Sequence, residues 1–417
     1  MASMPTGTAG TGRARRIGVL IVLLAGGLLT VFAVGATALR GGDDPPAGLR
    51  GTAATVVATQ SQCEAYTDTP ANKTNGVSDE RCLANAAYTV LRDAQDPATL
   101  LPEIDAFVRT HGGFLASMCH LVMHRVGRMY AADHDVTLAT LLDYLPRSNN
   151  PNCSAGFAHG MISTLGPAVA AAGPKAAAIC RRGETREQEY TCVHGLGHAF
   201  MRNYSESIPY ALRGCDSLGA RFAPDCGMGV FHDYWLSISG LDETARPADV
   251  ELSPRKLCAG QAARFVRVCW YPSFLIRPPA TPIGDPADVD RLCSGLQGIQ
   301  RFGCVTAGSV VNSGSPSADL GTCHYFHGSD VAACVRAVGA ETLASRPVAA
   351  QVALVDRCAT FEGAGERAAC FSWLARALTV ATDGRFATQG CAQVLPAGRP
   401  ACHTGAHAWR EPLETFT

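Results

Sequence analysis

The first apolar feature of the chain is an uncharged run, Ile17–Leu39. Its 23 residues are enough for a helix to cross about 30 Å of hydrocarbon. Arg13, Arg15 and Arg16 precede it, so residues 1–16 are expected in the cytoplasm and everything after Arg40 outside. A cleaved signal peptide is the rival reading, with Ala36-Thr37-Ala38 as an A-x-A-like site, but the run is long for a signal core. Arg15-Arg16 gives only a weak twin-arginine pattern. Residues 40–61, rich in Gly, Asp, Pro and Thr, read as a flexible tether. Beyond them the chain is Ala- and Leu-rich with few alternating β-branched runs, which predicts helices, for example over Pro174–Arg181, Glu187–Asn203 and Val331–Ala344.

The cysteines divide this helical region into units. Seven pairs share one spacing: Cys180/Cys192, Cys215/Cys226, Cys258/Cys269, Cys293/Cys304, Cys323/Cys334, Cys358/Cys370 and Cys391/Cys402. Pairs recur about every 30–43 residues, the range of two-helix repeats. A first cysteine ending one helix and a second opening the next would clip each hairpin at its turn. Such a short loop contributes about 2–3 kcal/mol by the chain-entropy account. Small hairpins that bury little core need a staple of this kind. Cys63, Cys82, Cys119 and Cys153 have no partner at this spacing and are expected to form two further bridges of unspecified pairing. Paired zinc ligands are the alternative for the repeated spacing, but an even count of 18 cysteines in an exported chain favours disulfides. The expected fold is all-α: an array of disulfide-clipped helical hairpins, an α/α repeat solenoid or closed toroid, after one N-terminal transmembrane helix. Residues 62–245 form its first half and 246–417 its second half, a scaffold or partner surface.

A longer repeat lies over the cysteine period. Cys119-His120-x-x-x-His124 matches Cys192-Val-His194-x-x-x-His198, the histidines at an offset of 74, as do Arg128 with Arg202 and Tyr130 with Tyr204. Pro151-x-Cys153-x-x-Gly156-x-x-His159 matches Pro224-x-Cys226-x-x-Gly229-x-x-His232 at an offset of 73. This is an internal duplication with three histidines per copy. His120/His124 and His194/His198 are i,i+4 pairs, so each pair shares a helix face. A third imidazole from the next hairpin, His159 or His232, completes three ligands and leaves a coordination position open. Facing helices would bring all six into one dinuclear centre. Histidines retained only for packing are the competing explanation, but burying six imidazoles without partners is costly. Imidazole suits copper, iron, nickel and zinc alike. Copper or iron is favoured, zinc is possible, and two ions are expected. The ligand count equals that of a type-3 copper pair, an analogy of number only.

Neighbouring residues refine the site. Arg128 and Arg202 lie one turn beyond His124 and His198 and suit an anionic substrate group, or else carboxylates at the repeat seam. Asp233 stands where the first copy has Gly160, placing a general base or an acceptor for a ligating histidine on one side only. Tyr130 and Tyr204 are expected to pack. Cys402-His403-x-x-x-His407 repeats the pattern at the far end, a degenerate third copy that would add ligands if the array closed. His324 and His327 are a weaker signal, and His111 and His134 read as ordinary helix-end or surface residues. Neither H-E-x-x-H nor C-x-x-C-H occurs, so the common zinc-protease helix and covalent haem attachment are not indicated.

Charge and composition narrow the partners. Formal net charge is −1, which gives no general attraction to nucleic acid. Lys73, Lys175 and Lys256 are the only lysines, and with abundant Ala, Gly and Arg this suggests a high-GC bacterial genome. The chain reads as a single-pass protein of a bacterial cell membrane, its C-terminal domain extracytoplasmic. The leading function is a copper- or iron-dependent oxidoreductase acting on a small molecule or peptide, with an anionic group if the arginines bind it. A zinc hydrolase, a metal-storage protein and a structural protein-binding solenoid are the alternatives.

Overall fold

The computed structural model describes residues 79–92, 97–98, 100–102, 104–105, 113–145, 153–239, 250–276, 283, 285–312, 320–342, 348–382 and 384–408. The expected anchor at 17–39, the tether at 40–61, Cys63 and His111 lie outside the described residues. Among the described residues there is no strand, and no helix is long and apolar enough to cross a membrane.

The long helices are α2 (Gly113–Asp133), α3 (Cys153–Ser163), α6 (Arg186–Asn203), α8 (Ala223–Ser239), α10 (Ala263–Ile276), α12 (Gly298–Asn312), α13 (Ser329–Thr342) and α15 (Ala364–Ala381), and the nine-residue α17 (Arg399–His407) ends the row. Before and between them run α1 (Asp79–Leu91) and the shorter α4 (Gly166–Ala172), α5 (Pro174–Cys180), α7 (Ile208–Ser217), α9 (Pro254–Ala259), α11 (Pro286–Leu292), α14 (Val348–Asp356) and α16 (Arg385–Gln389). Start signals are explicit in the sequence. Thr185 caps α6 by accepting from the Gln188 N–H, Ser253 caps α9 from the Lys256 N–H, and Asp285 with Asp288 forms a capping box on α11. Pro254 and Pro286 occupy first-turn positions whose missing N–H costs nothing there.

All seven expected clips form, with Cα–Cα separations of 5.4–5.8 Å. The first cysteine of each clip lies at or near the end of a short helical segment. The second sits one to two turns inside a long helix, so the bridge ties the short segment to its flank. An eighth bridge joins Cys119 of α2 to Cys153 of α3, 34 residues apart. The duplication explains it. Cys119 and Cys153 correspond to Cys192 and Cys226, but the counterpart of Cys215 is Leu142, so Cys153 has no clip partner and bonds across to the neighbouring long helix. Cys82 is also disulfide-bonded.

The long helices pack in a row, each against the next from α2 to α17, and α6 also touches α15 farther along, so the row curls back on itself. One hydrophobic cluster runs from Leu141 to Ala406 and includes fourteen clip cysteines, with Trp235, Phe200, Phe231 and Phe386 fully buried in it. Disulfides this numerous point to an oxidising, extracytoplasmic compartment.

Two helix contacts position the histidines. A Cβ on Gly156 of α3 would overlap the His120 carbonyl oxygen of α2, and a Cβ on Gly229 of α8 would overlap the His194 carbonyl oxygen of α6. Glycine at matched places in both copies therefore lets the third-histidine helix lie directly on the helix of the i,i+4 pair.

Candidate metal centre

The six histidines of the duplicated motif meet in one cluster. His120 and His124 come from α2, His159 from α3, His194 and His198 from α6, and His232 from α8. Ring centroids of neighbours lie 4.3–5.5 Å apart, the shortest between His159 and His194 and the longest between His124 and His232. Contacts cross between the copies: His124 meets His198 at 4.8 Å, and His120 stacks on His232 at 5.3 Å. His124, His159, His194 and His198 are buried, whereas His120 and His232 are half-buried and form the solvent-facing side.

Three groups of donor nitrogens are close enough to share an ion: His120/His124/His159, His124/His198/His232 and His159/His194/His198. The first is the triad expected from the first copy. The other two mix residues of both copies, and any two triads share one histidine, so His124, His159 and His198 are the shared corners. The site is thus one interleaved cluster rather than two separate half-sites.

Its nitrogen atoms carry the chemistry. Nε2 of His120 and Nε2 of His124 are 3.1 Å apart, and Nε2 of His194 and Nδ1 of His232 are 3.2 Å apart. Two donors bonded to one ion at about 2.1 Å stand about 3.0–3.4 Å from each other, depending on the angle. Both ring nitrogens of His159 and Nε2 of His198 are buried without a hydrogen-bond partner. Leaving such atoms unsatisfied costs about 1–3 kcal/mol each. A cation satisfies the lone-pair nitrogen of each ring, one on His159 and Nε2 of His198, and donors of this type fit copper, iron, nickel or zinc.

Protonation agrees with that use. Burial, then the charges of neighbouring imidazoles, holds His124, His159, His194 and His232 well below the ordinary histidine range. They are neutral at physiological pH, the form that binds metal.

The cluster is asymmetric. His198 Nδ1 lies 2.9 Å from Asp233 Oδ1, both residues fully buried. Donation to this carboxylate fixes the proton on Nδ1 and leaves the Nε2 lone pair facing the cluster, the usual arrangement behind a metal-ligating histidine. Burial by itself would raise the Asp233 carboxyl. Arg202 and the His198 hydrogen bond outweigh burial and hold it below the ordinary aspartate range. Arg202 is 3.7 Å from Asp233 Oδ1, a pairing within the second copy. Arg128 is half-buried on α2. The first copy has Gly160 in place of Asp233, packed against the His124 carbonyl, and it has no carboxylate there.

Two contributors were not visible from spacing. The Tyr190 hydroxyl is 3.4 Å from His194 Nδ1, and it lies one turn before that histidine. Glu206 is buried and electrostatically linked to Asp233. It follows Ser205 at the end of α6, and the two take φ values of 63° and 51°, an uncommon conformation for side chains of this size. Ala132 stands at the matching place in the first copy, so its difference from Glu206 was the available signal.

The remaining histidines stand apart. His403 and His407 are exposed on α17, which packs on α15 and α16, so the expected third copy adds no ligand to this cluster. His324 stacks on Phe361 and meets the Thr360 hydroxyl, His327 lies 3.5 Å from Glu366, and His134 stacks on Tyr130 at the end of α2. Tyr130 packs against Phe157 and Tyr204 against Phe200, as expected.

No protein-family model, no curated protein and no solved structure matches this chain.

Proposed function

We propose that this chain is an extracytoplasmic, membrane-anchored metalloprotein whose six-histidine cluster holds a redox-active transition metal, copper or iron, in an oxidoreductase. The observation that carries the proposal is the set of buried, unpartnered nitrogens on His159 and His198, the latter ring oriented by Asp233. His120, His124, His159, His194, His198 and His232 are the ligand set. Six imidazoles supply enough donors for two ions, and because any two of the triads overlap at one histidine, two neighbouring ions would divide the corner residues His124, His159 and His198 between them.

A bound copper or iron supplies reversible one-electron chemistry. The protein supplies the setting. Burial keeps His124, His159, His194 and His232 neutral and leaves His120 and His232 as the half-buried side of the cluster. Small reactants therefore approach past these two rings. Asp233 acts as a positioning residue for His198. A carboxylate held ionised in contact with Arg202 is a weak base, which counts against the zinc-hydrolase reading with Asp233 as general base. Pairing of Arg202 with Asp233 likewise favours a structural use of that arginine over binding a substrate anion.

The test is spectroscopic. The purified protein is expected to show an absorption or paramagnetic signal that changes reversibly between reductant and oxygen or peroxide. A colourless, redox-silent protein containing stoichiometric zinc would overturn the oxidoreductase reading.

A further inference from the structure

The two copies of the histidine motif differ in what stands behind their ligands. In the second copy both histidines of the i,i+4 pair have an oxygen at Nδ1. His198 Nδ1 lies 2.9 Å from Asp233 Oδ1, and His194 Nδ1 lies 3.4 Å from the Tyr190 hydroxyl. His194 Nε2 faces the cluster, 3.2 Å from His232 Nδ1. A proton held on each Nδ1 toward its oxygen leaves both Nε2 lone pairs for an ion. The first copy has Ser117 and Gly160 where the second has Tyr190 and Asp233.

Burial divides the cluster along a similar line. His159, His194 and His198 are all buried, and their donor nitrogens gather within 4.8 Å. Both ring nitrogens of His159 and Nε2 of His198 have no hydrogen-bond partner. An ion on these three leaves His120, His124 and His232 for another. Nε2 of His120 and Nε2 of His124 are 3.1 Å apart, and the His232 ring centroid lies 5.3 Å from that of His120 and 5.5 Å from that of His124. Two of these three, His120 and His232, are half-buried.

The two sets should therefore hold metal unequally. An acceptor behind a ligating histidine fixes its tautomer and ring, and losing one weakens metal binding about 10–100-fold. The buried set has two such oxygens. A second cation also meets the charge of the first across an interior that screens poorly. Both effects favour filling the buried set first.

We propose that the cluster has two inequivalent ion positions. The inner one, on His159, His194 and His198, fills first and retains its ion, with Tyr190 as a positioning residue for His194. The outer one, on His120, His124 and His232, exchanges its ion with solvent and is where a small reactant meets metal. This inference rests on the metalloprotein reading above and adds the division of labour within it.

Cobalt(II) is the probe, because it takes imidazole donors and its visible band follows its ligands. Metal-free full-length protein is titrated with cobalt(II) and then passed through buffer containing EDTA. Two equivalents are expected to bind, the first at least about tenfold more tightly, and EDTA should remove only the second. Azide should shift the band of the two-ion form and leave that of the one-ion form unchanged. His120→Ala should lose the second ion alone. Tyr190→Phe, which removes one hydroxyl, should weaken the first ion about tenfold and shift its band, while the second stays within about twofold. His194→Gln, expected to lose EDTA-resistant cobalt, serves if Tyr190→Phe fails to fold. Equal affinities, a parent that binds a single ion, loss of both ions together in EDTA, or azide acting on the one-ion form would overturn this inference and leave the metalloprotein reading standing. So would a Tyr190→Phe protein with unchanged affinity and band. No cobalt bound at all would overturn both.

Discussion

Asp233→Asn is the most informative single change near the cluster. The substitution keeps the size of the side chain and an oxygen able to face His198 Nδ1 at 2.9 Å. It removes the charge that Arg202 and His198 stabilise. In the parent, a fully buried carboxylate fixes the proton on Nδ1 and makes Nε2 a better donor. The neutral amide offers a weaker acceptor and can turn its NH₂ toward the ring, favouring the wrong tautomer. Comparable outer-shell changes weaken metal binding about 10–100-fold, or about 1.4–2.7 kcal/mol. Competition against a chromogenic chelator measures the difference, with disulfide content and circular dichroism confirming the fold. A twofold or smaller change in affinity would refute the assigned role of Asp233. A loss confined to folding stability would refute it equally, since Asp233 would then only neutralise Arg202.

Three further outcomes follow from burial and packing. In metal-free protein, His124, His159, His194 and His232 have lowered pKa values, so the unfolded state takes up more protons below its own histidine range. Stability should be full above about pH 6.5 and fall as pH drops, by about 1.4 kcal/mol per histidine per pH unit; urea melts at pH 7.5 and 5.5 showing equal midpoints would contradict it. Glu187 behaves oppositely: burial pushes its carboxyl up to about 7, so the folded state keeps a proton that the unfolded state has lost, and stability is lost as pH rises from about 4.5 to 7. Glu187→Gln should therefore stabilise the protein at pH 8 by about 2 kcal/mol, a figure discounted because the side chain is only partly buried, and a destabilised variant at pH 8 would be inconsistent with this. Gly229→Ala should force α8 away from the His194 carbonyl and cost about 1–3 kcal/mol with loss of metal, read by thermal melts and elemental analysis; a variant as stable and metal-loaded as the parent would show that the helices do not lie so close.

Much of this architecture was legible because cysteine spacing and histidine spacing are local signals. Ten or eleven residues between cysteines is the length of a short segment, a turn and the first turns of a long helix, and each clip closed as that spacing required. The i,i+4 histidine pairs likewise needed only one helix. What spacing could not convey was the crossing of the copies. Whether His232 sits nearer His198 or His124 depends on how closely α6 and α8 approach α2 and α3, which residues such as Gly195 of α6, packed against Ile162 of α3, decide through contacts remote in sequence. The bridge between Cys119 and Cys153 was hidden for a related reason: it spans two repeats, and only the absence of a cysteine at Leu142 hinted at it.

The most direct test of the central claim is metal stoichiometry in tag-free protein purified without chelator. His124 and His198 together belong to all three triads, so His124→Ala with His198→Ala leaves none intact. Elemental analysis of the parent is expected to give one to two copper or iron ions per chain, and the double variant should lose most of this while its disulfides remain formed. A parent that carries no metal and takes up no added copper, iron or zinc, or a double variant that binds as much as the parent, would contradict the account.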